Sequence, residues 1–109
     1  MRVIFSPLVR VYFHDLIEIL FEKEYFGFEE SALKYVKGLF YEIKDTLPLH
    51  PKKIAPPYFD RYGKDMYYAT FRKSKATQWY VFFSEYKNNG ETVYLVKYIS
   101  NNHVIAHLL

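Results

Sequence analysis

The chain has 109 residues, half of them apolar, which suits one hydrophobic core, so we expect a single domain over residues 1–109. It has no cysteine, which excludes disulfides and thiolate metal sites, and no stretch approaches the roughly 20 apolar residues of a membrane-spanning helix. Its 15 basic and 12 acidic side chains give a formal charge of +3, whereas 12 Tyr, 10 Phe and 1 Trp make it unusually aromatic.

The N-terminus shows no targeting signal. Residues 1–7 lack the long apolar core and the small-residue cleavage site of a signal peptide. The lack of cysteine fits a reducing compartment. We therefore expect a cytoplasmic protein with no membrane association.

The first strand and helix are predicted from residues 2–25. Residues 2–6 are mostly β-branched or aromatic, which favours a strand. Ser6 and Pro7 are typical of an N-cap followed by proline at the first helical position. Apolar residues then recur at three- and four-residue spacing over residues 8–25, which predicts a helix that Gly27 can close.

A second helix follows at once. Glu29 and Glu30 favour a helix N-terminus through the macrodipole, and a stripe of period 3.6 runs from Ala32 to Leu47. Pro48 should end this helix. The two helices should form an antiparallel hairpin, followed by an irregular loop over residues 48–64 that holds four of the five prolines.

The remainder predicts three strands, at residues 66–72, 78–86 and 92–99. A hairpin turn over residues 87–91 contains Asn89 and Gly90, which tolerate positive φ. Residues 100–109 form a short tail with a helical turn. The fold class is therefore α+β, with the helical hairpin packed on an antiparallel meander that the N-terminal strand joins.

Positive charge is concentrated in one part of the chain. Residues 52–75 carry 7 basic and 2 acidic side chains, whereas residues 1–51 carry 6 and 8. Tyr58, Tyr62, Tyr67 and Tyr68 lie among these cations. Cations with neighbouring rings favour a polyanion such as RNA, and a solvated surface loop is the alternative. We expect the cations to gather on one side of the sheet.

Four segments stand at characteristic places in this order of elements: residues 3–7 (VIFSP), 70–73 (TFRK), 79–83 (WYVFF) and 96–103 (VKYISNNH). With these segments, the chain resembles the RelE/ParE superfamily of type II toxin–antitoxin toxins. The resemblance implies a RelE/ParE-like fold and a toxin that a partner antitoxin neutralises. It further implies a metal-independent endoribonuclease that cleaves mRNA at the ribosome, with attack of the 2′-hydroxyl on the adjacent phosphate.

The resemblance also implies roles for individual residues. Arg72 matches the arginine that holds the scissile phosphate, Lys97 a second basic position, and His103 a C-terminal acid or base. The residues expected to contact RNA are Lys52, Lys53, Arg61, Lys73, Lys75 and Tyr98. No metal or cofactor is implied. Arg72 has a structural alternative, which is an ion pair with Asp65 or Glu85.

Three functions remain open. The family usually carries an arginine just before the aromatic strand, where Gln78 and Trp79 stand here. This departure favours a toxin of the same fold without nuclease activity, such as a ParE-like gyrase inhibitor. A non-catalytic protein-interaction module is the third candidate. Without the antitoxin, a homodimer is a further alternative.

Overall fold

The computed structural model describes residues 1–23 and 27–109 and shows an α+β fold, as the sequence predicts. The strands are β1 (Arg2–Phe5), β2 (Lys53–Ile54), β3 (Tyr67–Arg72), β4 (Gln78–Asn88) and β5 (Glu91–Asn101). The helices are α1 (Pro7–Glu22), α2 (Glu29–Thr46) and the short α3 (Asn102–Ile105), and 3₁₀ turns cover Leu47–Leu49, Pro57–Arg61 and Ala106–Leu108.

The predicted start of the first helix is confirmed. The Ser6 hydroxyl accepts a hydrogen bond from the Val9 amide at 3.3 Å, and Pro7 is the first helical residue. The predicted end of this helix at residue 25 lies outside the described residues. Among those residues, no helix is both long and apolar enough to cross a membrane.

The strands form one mixed sheet in the order β1-β5-β4-β3-β2. Strands β3, β4 and β5 are antiparallel neighbours, whereas β1 lies parallel to β5. Strand β1 pairs only with residues 93–96 of β5, so residues 97–101 extend beyond it. The β4–β5 turn is tighter than predicted, because Asn89 (φ 53°) and Gly90 (φ 80°) alone connect the strands.

The prediction of an irregular loop over residues 48–64 is wrong in part. Residues 53–54 pair with β3 as β2, and Pro57–Arg61 forms a 3₁₀ turn. Pro57 suits the first position of this turn because its φ is already fixed. Phe59 anchors the turn, since its ring is fully buried and stacks on Phe82 with 4.4 Å between ring centres.

Apolar side chains cover both faces of the sheet. Helices α1 and α2 pack on one face, which we call the helix face, and a smaller cluster lies on the other, the open face. The helix-face core includes Phe13, Leu39, Ile43, Phe71, Trp79 and Val81. The open-face cluster consists of Phe59, Met66, Tyr80, Phe82 and Ile105.

Candidate nucleic-acid interface

A groove runs between α1 and the part of β5 that extends beyond β1. It consists of two adjoining cavities of about 420 Å³ each, which share Tyr12 and Val104. Lys97 lines the first cavity and His103 the second. We call this surface the edge groove and define it by the residues Tyr12, Tyr62, Lys97, Tyr98, His103 and Val104. It brings together two of the three predicted catalytic residues.

Lys97 occupies a β-bulge. Val96 pairs with Phe83 and Tyr98 pairs with Phe82, so Lys97 is an extra residue with no partner in the β4 register. Such a bulge breaks the alternation of side chains and redirects the inserted residue. The Lys97 side chain lies against Gly63, since a Cβ atom built there would be 2.8 Å from Lys97 Cδ.

Three tyrosines, Tyr12, Tyr62 and Tyr98, line the same cavity as Lys97. The Tyr62 and Tyr98 rings stack with 3.8 Å between their centres. Burial, with a smaller contribution from the neighbouring Tyr98, raises the pKa of Tyr12 to about 12. Burial and a hydrogen bond with Tyr98 likewise raise the pKa of Tyr62. The first cavity thus combines the Lys97 ammonium group with the neutral phenols of Tyr12 and Tyr62, which suits a phosphate beside a stacked base.

Arg72 lies at the end of β3, next to the turn of residues 73–77. Its register partner Gln78 begins β4. Its Nε donates to the Ser74 carbonyl at 3.2 Å, and its Nη2 donates to the Lys75 carbonyl at 3.3 Å. These bonds take the place of the suggested ion pair with an acidic side chain. Because a guanidinium has five N–H donors, Arg72 retains donors for a phosphate.

His103 contacts the same turn from its other side. Its Nε2 lies 3.4 Å from Thr77 Oγ1, and its backbone amide donates to Asn101 Oδ1 at 2.9 Å. Asn102 ties α3 to the turn, because its Nδ2 donates to the Ala76 carbonyl at 3.1 Å. The turn of residues 73–77 therefore lies between Arg72 and His103.

The expectation that the cations gather on one side of the sheet is wrong. Lys52 pairs with Glu85 at 2.6 Å, and its ammonium lies 4.3 Å from the centre of the Tyr67 ring on the helix face. The hydrogen bond to Glu85 raises the pKa of Lys52. Lys73 pairs with Glu42 of α2 at 2.9 Å. Acidic partners distant in the sequence thus engage two of the predicted RNA contacts.

The other predicted RNA contacts lie elsewhere. Lys53 pairs in register with Tyr68, which places it on the open face. The Arg61 guanidinium lies 3.9 Å from the centre of the Tyr58 ring, and its Nε donates to the Tyr58 carbonyl. Lys75 is exposed in the turn of residues 73–77. Of the six, only Tyr98 lines the edge groove.

Among the residues that the sequence analysis missed are Tyr12, in the edge groove, and Gly63, beside it. Tyr12 fits the apolar stripe of α1, so the sequence offers no sign that its ring reaches β5. Gly63 lies next to Lys97. The sequence offers one sign of its importance, which is that this glycine directly follows a tyrosine in a basic segment. Both depend on contacts between distant parts of the chain, which a residue pattern does not reveal.

Comparison with protein-family models, curated proteins and solved structures finds no match for this chain. Within the described ranges, no group of three His, Asp or Glu side chains is placed to bind a metal ion. The fold class and the groove are therefore observed, whereas the roles of the groove residues are proposals.

Proposed function

We propose that the protein is the toxin of a type II toxin–antitoxin system, with a RelE/ParE-like fold, and that it cleaves mRNA at the ribosome without a metal. One observation carries the proposal: the edge groove places Lys97, Tyr98 and His103 along one continuous surface. A cation, a stackable ring and an imidazole are the groups that this reaction uses.

The proposed reaction divides the work among these side chains. The 2′-oxygen attacks the adjacent phosphorus and the bond to the 5′-oxygen breaks, which leaves a 2′,3′-cyclic phosphate and a 5′-hydroxyl. The His103 imidazole takes the proton of the 2′-hydroxyl, and the departing 5′-oxygen takes a proton from water. Lys97 offsets the negative charge that develops on the phosphate oxygens, and Arg72, on the other side of the turn of residues 73–77, holds a neighbouring phosphate of the same strand.

The antitoxin would cover the edge groove. The rim of the first cavity is apolar and open, since Leu8 is 81% exposed and Val104 is 57% exposed. A partner that buries this rim would also block Lys97. Neutralisation would then be competition for the groove.

Inducible expression in a bacterial host tests the proposal. We expect growth arrest with new mRNA 5′ ends, and we expect His103→Gln and Arg72→Ala to abolish both. His107→Gln is the matched control, because His107 lies four residues further on and does not line the groove. Normal growth at good soluble expression contradicts the proposal.

The ion pairs favour a second candidate function. Lys52 and Lys73 are engaged by Glu85 and Glu42, which leaves fewer cations for a polyanion. A toxin of the same fold without nuclease activity, such as a gyrase inhibitor, needs no phosphate site. Growth arrest with intact mRNA and blocked DNA replication would select this function.

A further inference from the structure

The side chain of Lys97 passes directly over Gly63. A Cβ atom built on Gly63 would lie 2.8 Å from Lys97 Cδ and 3.0 Å from Met66 Sδ. In protein structures, a Cβ atom almost never lies closer than 3.0 Å to a non-bonded heavy atom. By contrast, a Cβ on Gly38 would meet nothing within 4 Å. Gly63 is therefore the place where the missing side chain leaves room for the stem of Lys97.

The backbone at Gly63 is held in place. Its amide donates to the Asp60 carbonyl at 3.2 Å, which continues the Pro57–Arg61 turn. That turn is anchored by the fully buried Phe59, and Met66 is only 2% exposed. An added methyl group would consequently displace Lys97 more readily than it would displace the turn.

The bulge restrains Lys97 from the other side. Because Lys97 is the inserted residue between Val96 and Tyr98, its Cα position follows from the register on both sides of the bulge. The Tyr62 ring, one residue before Gly63, lies on Tyr98. The aliphatic stem of Lys97 thus extends from β5 over residues 62–63.

We propose that Gly63 is a positioning residue, whose missing side chain determines where the Lys97 ammonium group lies in the edge groove. The geometric part stands on these contacts alone. The consequence for RNA rests on the proposed function, in which Lys97 contacts a phosphate. Any side chain at position 63 would displace the ammonium group and weaken that contact.

The first test observes Lys97 without RNA. Reductive methylation with ¹³C-formaldehyde gives each lysine a dimethylamine signal, and Lys97→Arg identifies the signal of Lys97 by its loss. The Tyr62 and Tyr98 rings make that signal sensitive to position. We expect it to shift in Gly63→Ala and to stay unchanged in Gly38→Ala. An unchanged signal in Gly63→Ala would overturn the proposal.

A second test keeps the proposal falsifiable if Gly63→Ala folds poorly. Lys97→Ala removes the Cδ atom that the new methyl group would meet. We expect Gly63→Ala to shift the urea midpoint less in the Lys97→Ala background than in the wild type. Equal shifts in both backgrounds would show that Gly63 does not make room for Lys97.

The third test connects position to binding. With a short single-stranded RNA, we expect Gly63→Ala and Lys97→Met each to weaken binding about 5-fold, the effect of one lost phosphate contact. The double variant should bind no more weakly than Lys97→Met. If the affinity losses of Gly63→Ala and Lys97→Met multiplied in the double variant, Gly63 would not act through Lys97. If the wild type binds no RNA, the proposed function fails, and the methylation signal still decides the role of Gly63.

Discussion

The phenol rings of Tyr62 and Tyr98 lie nearly parallel, with 6° between their planes and 3.8 Å between their centres. Tyr62 follows the Pro57–Arg61 turn, whereas Tyr98 belongs to β5, so the stack joins two segments distant in the sequence. Lys97 lies beside the pair, and all three line the same cavity. A nucleobase placed here would extend an existing stack while its phosphate met the ammonium group.

Truncation of the exposed ring tests this platform. Tyr62 is 37% exposed, so Tyr62→Ala should disturb the core little. We expect it to weaken binding of single-stranded RNA about 5- to 100-fold, whereas Tyr62→Phe keeps the ring and most of the affinity. Fluorescence anisotropy with a labelled oligonucleotide gives the affinities. Tyr86→Ala, at an exposed ring on β4, is the control. Equal affinities for Tyr62→Ala and the wild type would contradict a stacking role.

The salt dependence of binding separates Lys97 from the paired lysines. A lysine that contacts a phosphate adds about one unit to the slope of log K against log salt concentration. We expect Lys97→Met to lower that slope by about 1. Lys73→Met should leave it unchanged, because Glu42 already engages Lys73 at 2.9 Å. If Lys73→Met lowered the slope and Lys97→Met did not, the RNA would bind on the helix face and not in the edge groove.

Alkaline pH should destabilise the fold through Tyr12. Its pKa is about 12 in the folded protein against 10.0 in the unfolded chain, so the unfolded state releases its proton first. Below pH 10 the phenol is neutral in both states. As the pH rises from 10 to 12, the free energy of unfolding should fall by roughly 2 kcal/mol.

Urea unfolding at several pH values from 9 upward measures this loss. In Tyr12→Phe, the decline should be shallower because this phenol is gone. Some decline should remain, because burial also raises the pKa values of Tyr62 and Tyr94. Parallel declines for the wild type and Tyr12→Phe would show that Tyr12 titrates alike in both states.

The hydrogen bond between Trp79 and Tyr35 tests the packing of α2 on the sheet. The Trp79 indole is 1% exposed, and its Nε1 donates to the Tyr35 hydroxyl at 2.9 Å. Tyr35→Phe removes that acceptor, so we expect a loss of about 1–3 kcal/mol in the free energy of unfolding. The fluorescence of the single tryptophan reports the transition. A loss below about 0.5 kcal/mol would mean that water or another group satisfies the indole.

Much of the fold could be predicted because it depends on local patterns. The Ser6–Pro7 start of α1 and the Asn89–Gly90 turn follow from the conformations that these residues prefer. The loop of residues 48–64 was harder, because the burial of Phe59 and the pairing of Lys53 with Tyr68 need partners far along the chain. Local propensity does not show such partners.

The candidate site was only partly predictable. The sequence predicts Lys97, Tyr98 and His103 as site residues, and the structure shows them along one groove. The prediction of a single cationic surface was wrong, because a count of charges along the sequence does not show that Glu42 pairs with Lys73 and Glu85 with Lys52. Ion pairing across the fold decides which cations remain available.

The most direct test of the RNA interface is ultraviolet crosslinking of a short single-stranded RNA to the wild-type protein, followed by mass spectrometry of the modified peptides. We predict adducts on Tyr62 and Tyr98, with none on Tyr67 beside the Lys52–Glu85 pair. Adducts confined to Tyr67 and its neighbours, or no adduct at low salt, would contradict the account.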